Sequence, residues 1–264
     1  MGKPLCNGSV PVIRPKIGVS TQVLHQSKWY KNVGHLGVDT LEINRRNSKL
    51  YFNRYFLEKV RRYLDGFHLS LHSATTGIFQ ELESFTRAEL EILMAEVDVC
   101  RFLGARELVF HLGKERLSRS SRDRLKTILS HARSQDVEML CESDNPIVAD
   151  TVEDIFDGFP EIGYVLDLGH LNMGLGRDVL GCEIDAFLAL VKERTVYIHA
   201  NNNDGSTDEH LGLDHGTLDW RRALDRLDRP RIRKVIIEVS AATHIEETRK
   251  VLEDYFRCRR AQAD

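Results

Sequence analysis

No run of apolar residues in this chain approaches the ~20 needed to cross a bilayer, and its five cysteines include no CxxC pair. A membrane span, a disulfide framework and a thiolate zinc knuckle are therefore excluded as organising features. Charge excess is missing too, since 37 basic against 40 acidic residues leave a formal net charge of −3. That balance gives no global attraction to a polyanion or an anionic membrane. Basic residues do gather at 114–126, 221–234 and 249–260, and these read as solvated helix faces. The opening "MGKPLCNGSVPVIRPK" has no stretch long enough for a signal peptide, and Cys6 stands where a myristoylation frame needs Ser or Thr. Cytoplasmic is the default expectation. A glycine-rich turn after the first strand and a Pro/Ser-rich linker are likewise absent, which argues against an open dinucleotide-binding sheet and against two domains.

What is present is an alternation. Short β-branched runs lie at 16–21, 38–44, 67–73, 107–113, 138–144, 164–170, 196–202 and 234–240, with amphipathic segments between them. The clearest of these is 86–103, where Leu90, Leu93, Met94, Val97 and Cys100 recur at helical spacing and Gly104 suits the C-terminal stop. Eight strands, each followed by a helix, predict an α/β fold: a single (β/α)8 barrel over residues 16–264, preceded by a loose arm at 1–15. Cys100 and Cys141 sit in apolar runs and read as core.

The chemistry-bearing side chains gather where these strands end. His72 closes the third strand and His111 the fourth, Glu142 lies on the fifth, and Asp167 and His170 end the sixth. His199 lies on the seventh and Glu238 on the eighth. In a parallel barrel all of these ends share one face, the face on which barrel active sites are built. Each residue alone has an ordinary explanation; together they predict a metal site at the C-terminal ends of the strands. Imidazole with carboxylate and no thiolate suits Mn²⁺, Zn²⁺, Fe²⁺ or Co²⁺ rather than Ca²⁺. The polar stretch "HANNNDGSTDEHLGLDHGTLDW" (199–220) adds Asp208 and His210. His215 reads as an exposed loop histidine, and Trp220 as a core residue in the first turn of the next helix.

The strings "LHS", "FHLG", "CESDN", "LDLGH", "IHANNNDGSTDEHLGLDHGTLDW" and "IIEV", in this order, resemble the xylose-isomerase-like TIM barrel superfamily. That superfamily includes sugar and sugar-phosphate isomerases and epimerases, and the endonuclease IV class of abasic-site nucleases (AP endonuclease family 2). The resemblance covers about residues 16 to 240 and is most specific in the 199–220 loop. It implies a core of Glu142, Asp167, His199 and Glu238 around one divalent metal. In endonuclease IV the counterparts of His72 and His111, with Glu142 bridging, hold a second ion, and those of His170, Asp208 and His210 hold a third.

Two chemistries share these residues. In the first, a sugar or sugar phosphate is isomerised or epimerised by proton transfer through a metal-stabilised enediolate. Glu142 and Glu238 would exchange the proton, His170 would orient a hydroxyl, and Lys114 would contact a phosphate. In the alternative, a cluster of three ions hydrolyses a phosphodiester, with nucleic acid as partner, so that the two readings together expect one to three ions per chain. Thr75 stands where the nucleases carry a duplex-entering Tyr, and no aromatic follows before Phe79. "ESDN" and "DLGH" replace the nucleases' "ENTAG" and "DTCH". These departures favour the small-molecule reading, with a homo-oligomer left open. Within the loop, Asp214 and His215 depart from the family's Gly and acidic residue, and Asn202 stands where Asp is frequent, which predicts less charge near His199.

Overall fold

The structure, a computed structural model, describes residues 14–24, 28–45, 48–74, 87–113 and 116–258. Eight strands pair in parallel and in chain order, the last closing on the first. They are β1 (Lys16–Ser20), β2 (Thr40–Asn44), β3 (His68–His72), β4 (Glu107–Leu112), β5 (Glu138–Ser143), β6 (Gly163–Asp167), β7 (Thr195–Ala200) and β8 (Lys234–Ile237). Around them run α1 (Arg54–Tyr63), α2 (Arg87–Leu103), α3 (Arg119–Ser134), α4 (Ala149–Gly158), α5 (Leu168–Gly176), α6 (Ile184–Val191), α7 (Trp220–Asp225) and α8 (Thr243–Cys258).

Helix starts and stops have local causes. Asn53 accepts a hydrogen bond from the Phe56 amide at the head of α1, and Ser118 does the same for Ser121 in α3. Past α2 the chain turns at Gly104, whose φ of +80° suits a residue without a Cβ. The helices bury one stripe against the outside of the barrel: Leu93, Val97 and Cys100 from α2 face the outward residues Leu108, Phe110 and Cys141 of β4 and β5 in one continuous core. A fully buried side chain of this size contributes about 1.5–3 kcal/mol.

Two expectations need correction. Among the described residues β1 is followed by short 3-10 turns (Thr21–Val23, Trp29–Lys31, Val33–Leu36) rather than by an α-helix. The sixth strand stops at Asp167, not at 170: the Asp167 carboxylate accepts from the His170 amide at 2.7 Å and opens α5 there. Inside the barrel, Val109, Leu140, Val165, Tyr197 and Ile236 form a separate apolar layer. Near the strand starts, buried Lys234 donates to Glu107 at 2.8 Å.

Candidate metal centre

Residues two apart on a strand point to the same face. Two positions beyond the interior layer of Val109, Leu140, Val165, Tyr197 and Ile236 stand His111, Glu142, Asp167, His199 and Glu238. The barrel interior thus changes from apolar to ligand-type side chains at one level, at the strands' C-terminal ends. Registration aligns them: His111 pairs with Glu142, and Asp167 with His199. Glu238 lies one residue past β8.

One ligand atom from each of Glu142, Asp167, His199 and Glu238 lies within 4.8 Å of the others. His199 Nδ1 is 3.1 Å from a Glu142 oxygen, 3.1 Å from a Glu238 oxygen and 3.7 Å from Asp167. Asp167 is fixed once more, because its second oxygen accepts from Asn201 Nδ2 at 2.7 Å. Gly169 makes room for this: a Cβ there would overlap the Asn201 amide oxygen.

His72 and His111 join the same centre from the other side. Their Nε2 atoms approach the second Glu142 oxygen at 3.1 and 3.3 Å. One carboxylate therefore faces two groups, His199 through Oε1 and the His72–His111 pair through Oε2. Asp208 lies 3.8 Å from His170 Nε2 and 3.3 Å from His210 Nε2. Three of these histidines share a pattern. His72, His170 and His210 each donate Nδ1–H to a backbone carbonyl, of Ser73, Ser143 and Glu238 at 2.9, 3.1 and 2.8 Å, and turn Nε2 towards a carboxylate. Such bonds fix tautomer and ring orientation in the way metal-ligating histidines are fixed. His210 holds a φ of +51°, a left-handed conformation rare outside glycine, while its carbonyl accepts from the Ser240 amide.

Burial alone would raise the carboxyl pKa of Glu142, yet the charges of His199 and His111 and the bonds from His199 and His72 hold it well below the usual range. Glu238 goes the other way, because burial outweighs the same kind of histidine charge and raises it. Burial opposes protonation of His72, but the Glu142 bond and the charges of Glu42, Glu142 and Glu238 lift it to about 9. His210 rises to about 10 against its burial, through Asp208 and Glu238. Among the described residues, the ion-pair partners of Glu142, Asp167 and Glu238 are all histidines. Three buried carboxylates and imidazole nitrogens converging on one point, with no Lys or Arg among the described residues to neutralise them, fit a divalent cation. His111 Nδ1 is also buried, with no hydrogen-bond partner among the described residues.

One residue of this centre was not singled out in the sequence. Glu42 on β2 is fully buried and accepts from His199 Nε2 at 3.0 Å. The signal was there in "TLEIN", where the alternation of Leu41 and Ile43 outward turns Glu42 inward. Asn202, neutral where Asp is frequent, ties the 199–220 loop together. It donates to the Leu213 and Leu218 carbonyls and accepts from the Asn203 and Leu218 amides. Asp214 accepts from Trp220 Nε1 and Arg221, and Trp220 is buried at the start of α7. His215 faces Glu247 and His244 on α8, apart from the centre. Lys114, Thr75 and Phe79 lie outside the described residues. The basic stretch 221–234 is neutralised locally: Arg221, Arg222, Arg226, Arg229, Arg231 and Arg233 each face a carboxylate. A cavity of about 390 Å³ lined by Glu107, Asp136, Glu138 and Arg233 opens where the strands begin, away from all of these side chains.

The family model "Xylose isomerase-like TIM barrel" matches residues 31–255. The chain belongs to this family. No curated protein matches it. Among solved structures, a D-tagatose 3-epimerase-like protein superposes with a TM-score of 0.76 at 16% identity, over 94% of this chain and 100% of that one. A Thermus thermophilus protein soaked with zinc chloride gives 0.70 at 20% identity, over 91% and 97%. An L-ribulose 3-epimerase gives 0.69 at 14%, over 94% and 97%. At these identities the family member shares their fold. No described helix is long and apolar enough to cross a membrane.

Proposed function

We propose that this family member is a divalent-metal-dependent isomerase or epimerase of a keto sugar or its phosphate. The observation that carries the reading is the pairing of two carboxylates at one four-ligand centre with proton affinities pushed apart. Glu142 is held ionised and Glu238 is raised, both within reach of the same histidine nitrogen. Environments that separate two such groups are how a site divides acid from base work. Glu142, Asp167, His199 and Glu238 would hold the ion, with Zn²⁺ and Mn²⁺ the first candidates. The ion would supply positive charge to the carbonyl and neighbouring hydroxyl oxygens of the sugar, acidifying the carbon between them. Glu142, held ionised, would take the proton from that carbon, and Glu238, whose raised affinity lets it carry a proton, would return one to the opposite face. His170, its ring held by the Ser143 carbonyl, would orient a hydroxyl. The epimerase names among the similar structures support the substrate class, and the zinc-soaked one supports the ion.

A second reading has its own observation. Glu142 faces His72 and His111 with one oxygen and His199 with the other, the posture of a carboxylate bridging two ions, and Asp208 sits between His170 and His210. That arrangement supports a centre of two or three ions acting on a phosphodiester. Elemental analysis of purified protein, with NMR of ketoses and ketose phosphates incubated in D2O, separates the two. About one ion per chain and deuterium entering beside the carbonyl are expected, with both lost in Glu142→Gln. About three ions, no exchange on any sugar, and cleavage of an abasic-site duplex would replace the first reading by the second.

A further inference from the structure

Beneath the centre, on the side away from the barrel mouth, lies a group that neither reading assigns. Glu42 is completely buried, and its Oε2 accepts from both His199 Nε2, at 3.0 Å, and Tyr197 Oη, at 2.8 Å. The Tyr197 hydroxyl, having given its proton to Glu42, accepts in turn from Ser70 Oγ at 2.7 Å. Among the described residues, Glu42 Oε1 has no hydrogen-bond partner. Among the described residues the ion-pair partner of Glu42 is His199. A fully buried carboxylate with one oxygen unsatisfied is costly, and an apolar residue of similar volume would serve folding better. Its cost has a counterpart only in what it does to His199.

An imidazole that is not protonated carries one N–H and one lone pair. The four-ligand cluster is reached by His199 Nδ1, so that nitrogen must offer its lone pair and Nε2 must keep the proton. Glu42 is the acceptor that enforces this choice. Because it is an anion, it also makes the ring a stronger donor to a cation on its far side. The alternative role, in which Glu42, His72 and His199 hold an ion of their own, conflicts with this geometry. It would require the Nε2 lone pair, which the hydrogen bond to Glu42 excludes.

Resting on the metal-dependent reading above, we infer that Glu42 is a positioning residue that orients His199 and sets its tautomer, with Tyr197 and Ser70 holding the carboxylate in place. The test measures affinity and tautomer, not turnover. Chelator-stripped wild type, Glu42→Gln, Glu42→Leu and Tyr197→Phe are titrated with Zn²⁺ against a chromophoric chelator. In parallel, long-range ¹⁵N–¹H spectra of histidine-labelled protein report which His199 nitrogen bears the proton. Loss of such a partner weakens metal binding by about 10- to 100-fold. Glu42→Gln, which keeps an acceptor but loses the charge, is expected towards the lower end, and Glu42→Leu towards the upper. The Nε2–H signal of His199 should be defined in zinc-loaded wild type and lost or mixed in Glu42→Leu. Tyr197→Phe keeps the Glu42–His199 bond and should stay within a few-fold of wild type. Wild-type affinity in either folded Glu42 variant overturns the role of Glu42 while leaving the metal reading intact. Failure of wild type itself to take up an ion removes both.

Discussion

At the scale of single residues, Glu142 and Glu238 look interchangeable, two buried carboxylates at equal distance from His199 Nδ1. Their surroundings separate them. Glu142 touches four histidines, His72, His111, His170 and His199, and its charge is what those rings gather around. Glu238 meets one of them and keeps a raised proton affinity. The corresponding variants should therefore fail differently. Glu142→Gln removes the shared anion, so ion uptake and proton exchange on the sugar are expected to vanish together. Glu238→Gln leaves three ligands in place; ion uptake should persist while the exchange rate falls by about 10²- to 10⁴-fold, the usual worth of a positioned acid–base group. Calorimetric titration with Zn²⁺ beside deuterium exchange by NMR reads both quantities. Equal retention of exchange in the two variants would sink the assignment of Glu238 as proton donor.

Among the elements, the 199–220 loop departs furthest from the role its composition suggests. Its three consecutive asparagines are all buried, and the side chains of Asn202 and Asn203 supplement the loop's few backbone hydrogen bonds. Asn202 alone satisfies two carbonyls and two amides. Asn202→Ala leaves these groups unsatisfied and is expected to cost about 2–3 kcal/mol, with His210 and Asp208 released from their posts. Urea unfolding gives the first number, and a fall in ion content or affinity checks the second; a variant as stable as wild type would contradict the structure of the loop. The strand ends, by contrast, were legible from sequence alone. A histidine or carboxylate in a β-branched run, one period-2 step beyond an apolar residue, points inward, and five successive strands repeat the step. Glu42 escaped notice because it stands lower on its strand, level with Ser70 and away from the end where the other candidates gather. His170 was placed on a strand because nothing in "LDLGH" marks a boundary except Asp167, whose capping bond is a tertiary fact as much as a local one. The loop-tying role of Asn202 could not be read from sequence, since the carbonyls it serves lie 11 and 16 residues away.

For the whole molecule, the consequence is that folding and ion binding compete for the same protons. His72 stands at about 9 and His210 at about 10 in the metal-free protein, both above the ordinary histidine value of 6.5. A group whose pKa is raised on folding stabilises the fold fully below its unfolded value and ceases to as pH rises through its folded one. The metal-free barrel should therefore lose stability steadily from pH 6.5 upward, through 9 and on to 10. Glu42 and Glu142 do not mask this. Their values are lowered, so their contribution is present above the usual carboxylate range and is lost only in acid. A cation binding at this centre displaces the same protons, because a ligating nitrogen must give up its hydrogen. Its stabilising effect must then grow over the interval in which the protonated histidines lose theirs. Thermal unfolding of chelator-stripped protein is expected to show a Tm that falls between about pH 6.5 and 8.5. Zn²⁺ should raise Tm at every pH in that range, and by more at the alkaline end than at the acid end. A metal-free Tm that is flat or rising across the interval would mean that the histidines enter the fold neutral, and that the carboxylates at the barrel mouth have some other counter-charge.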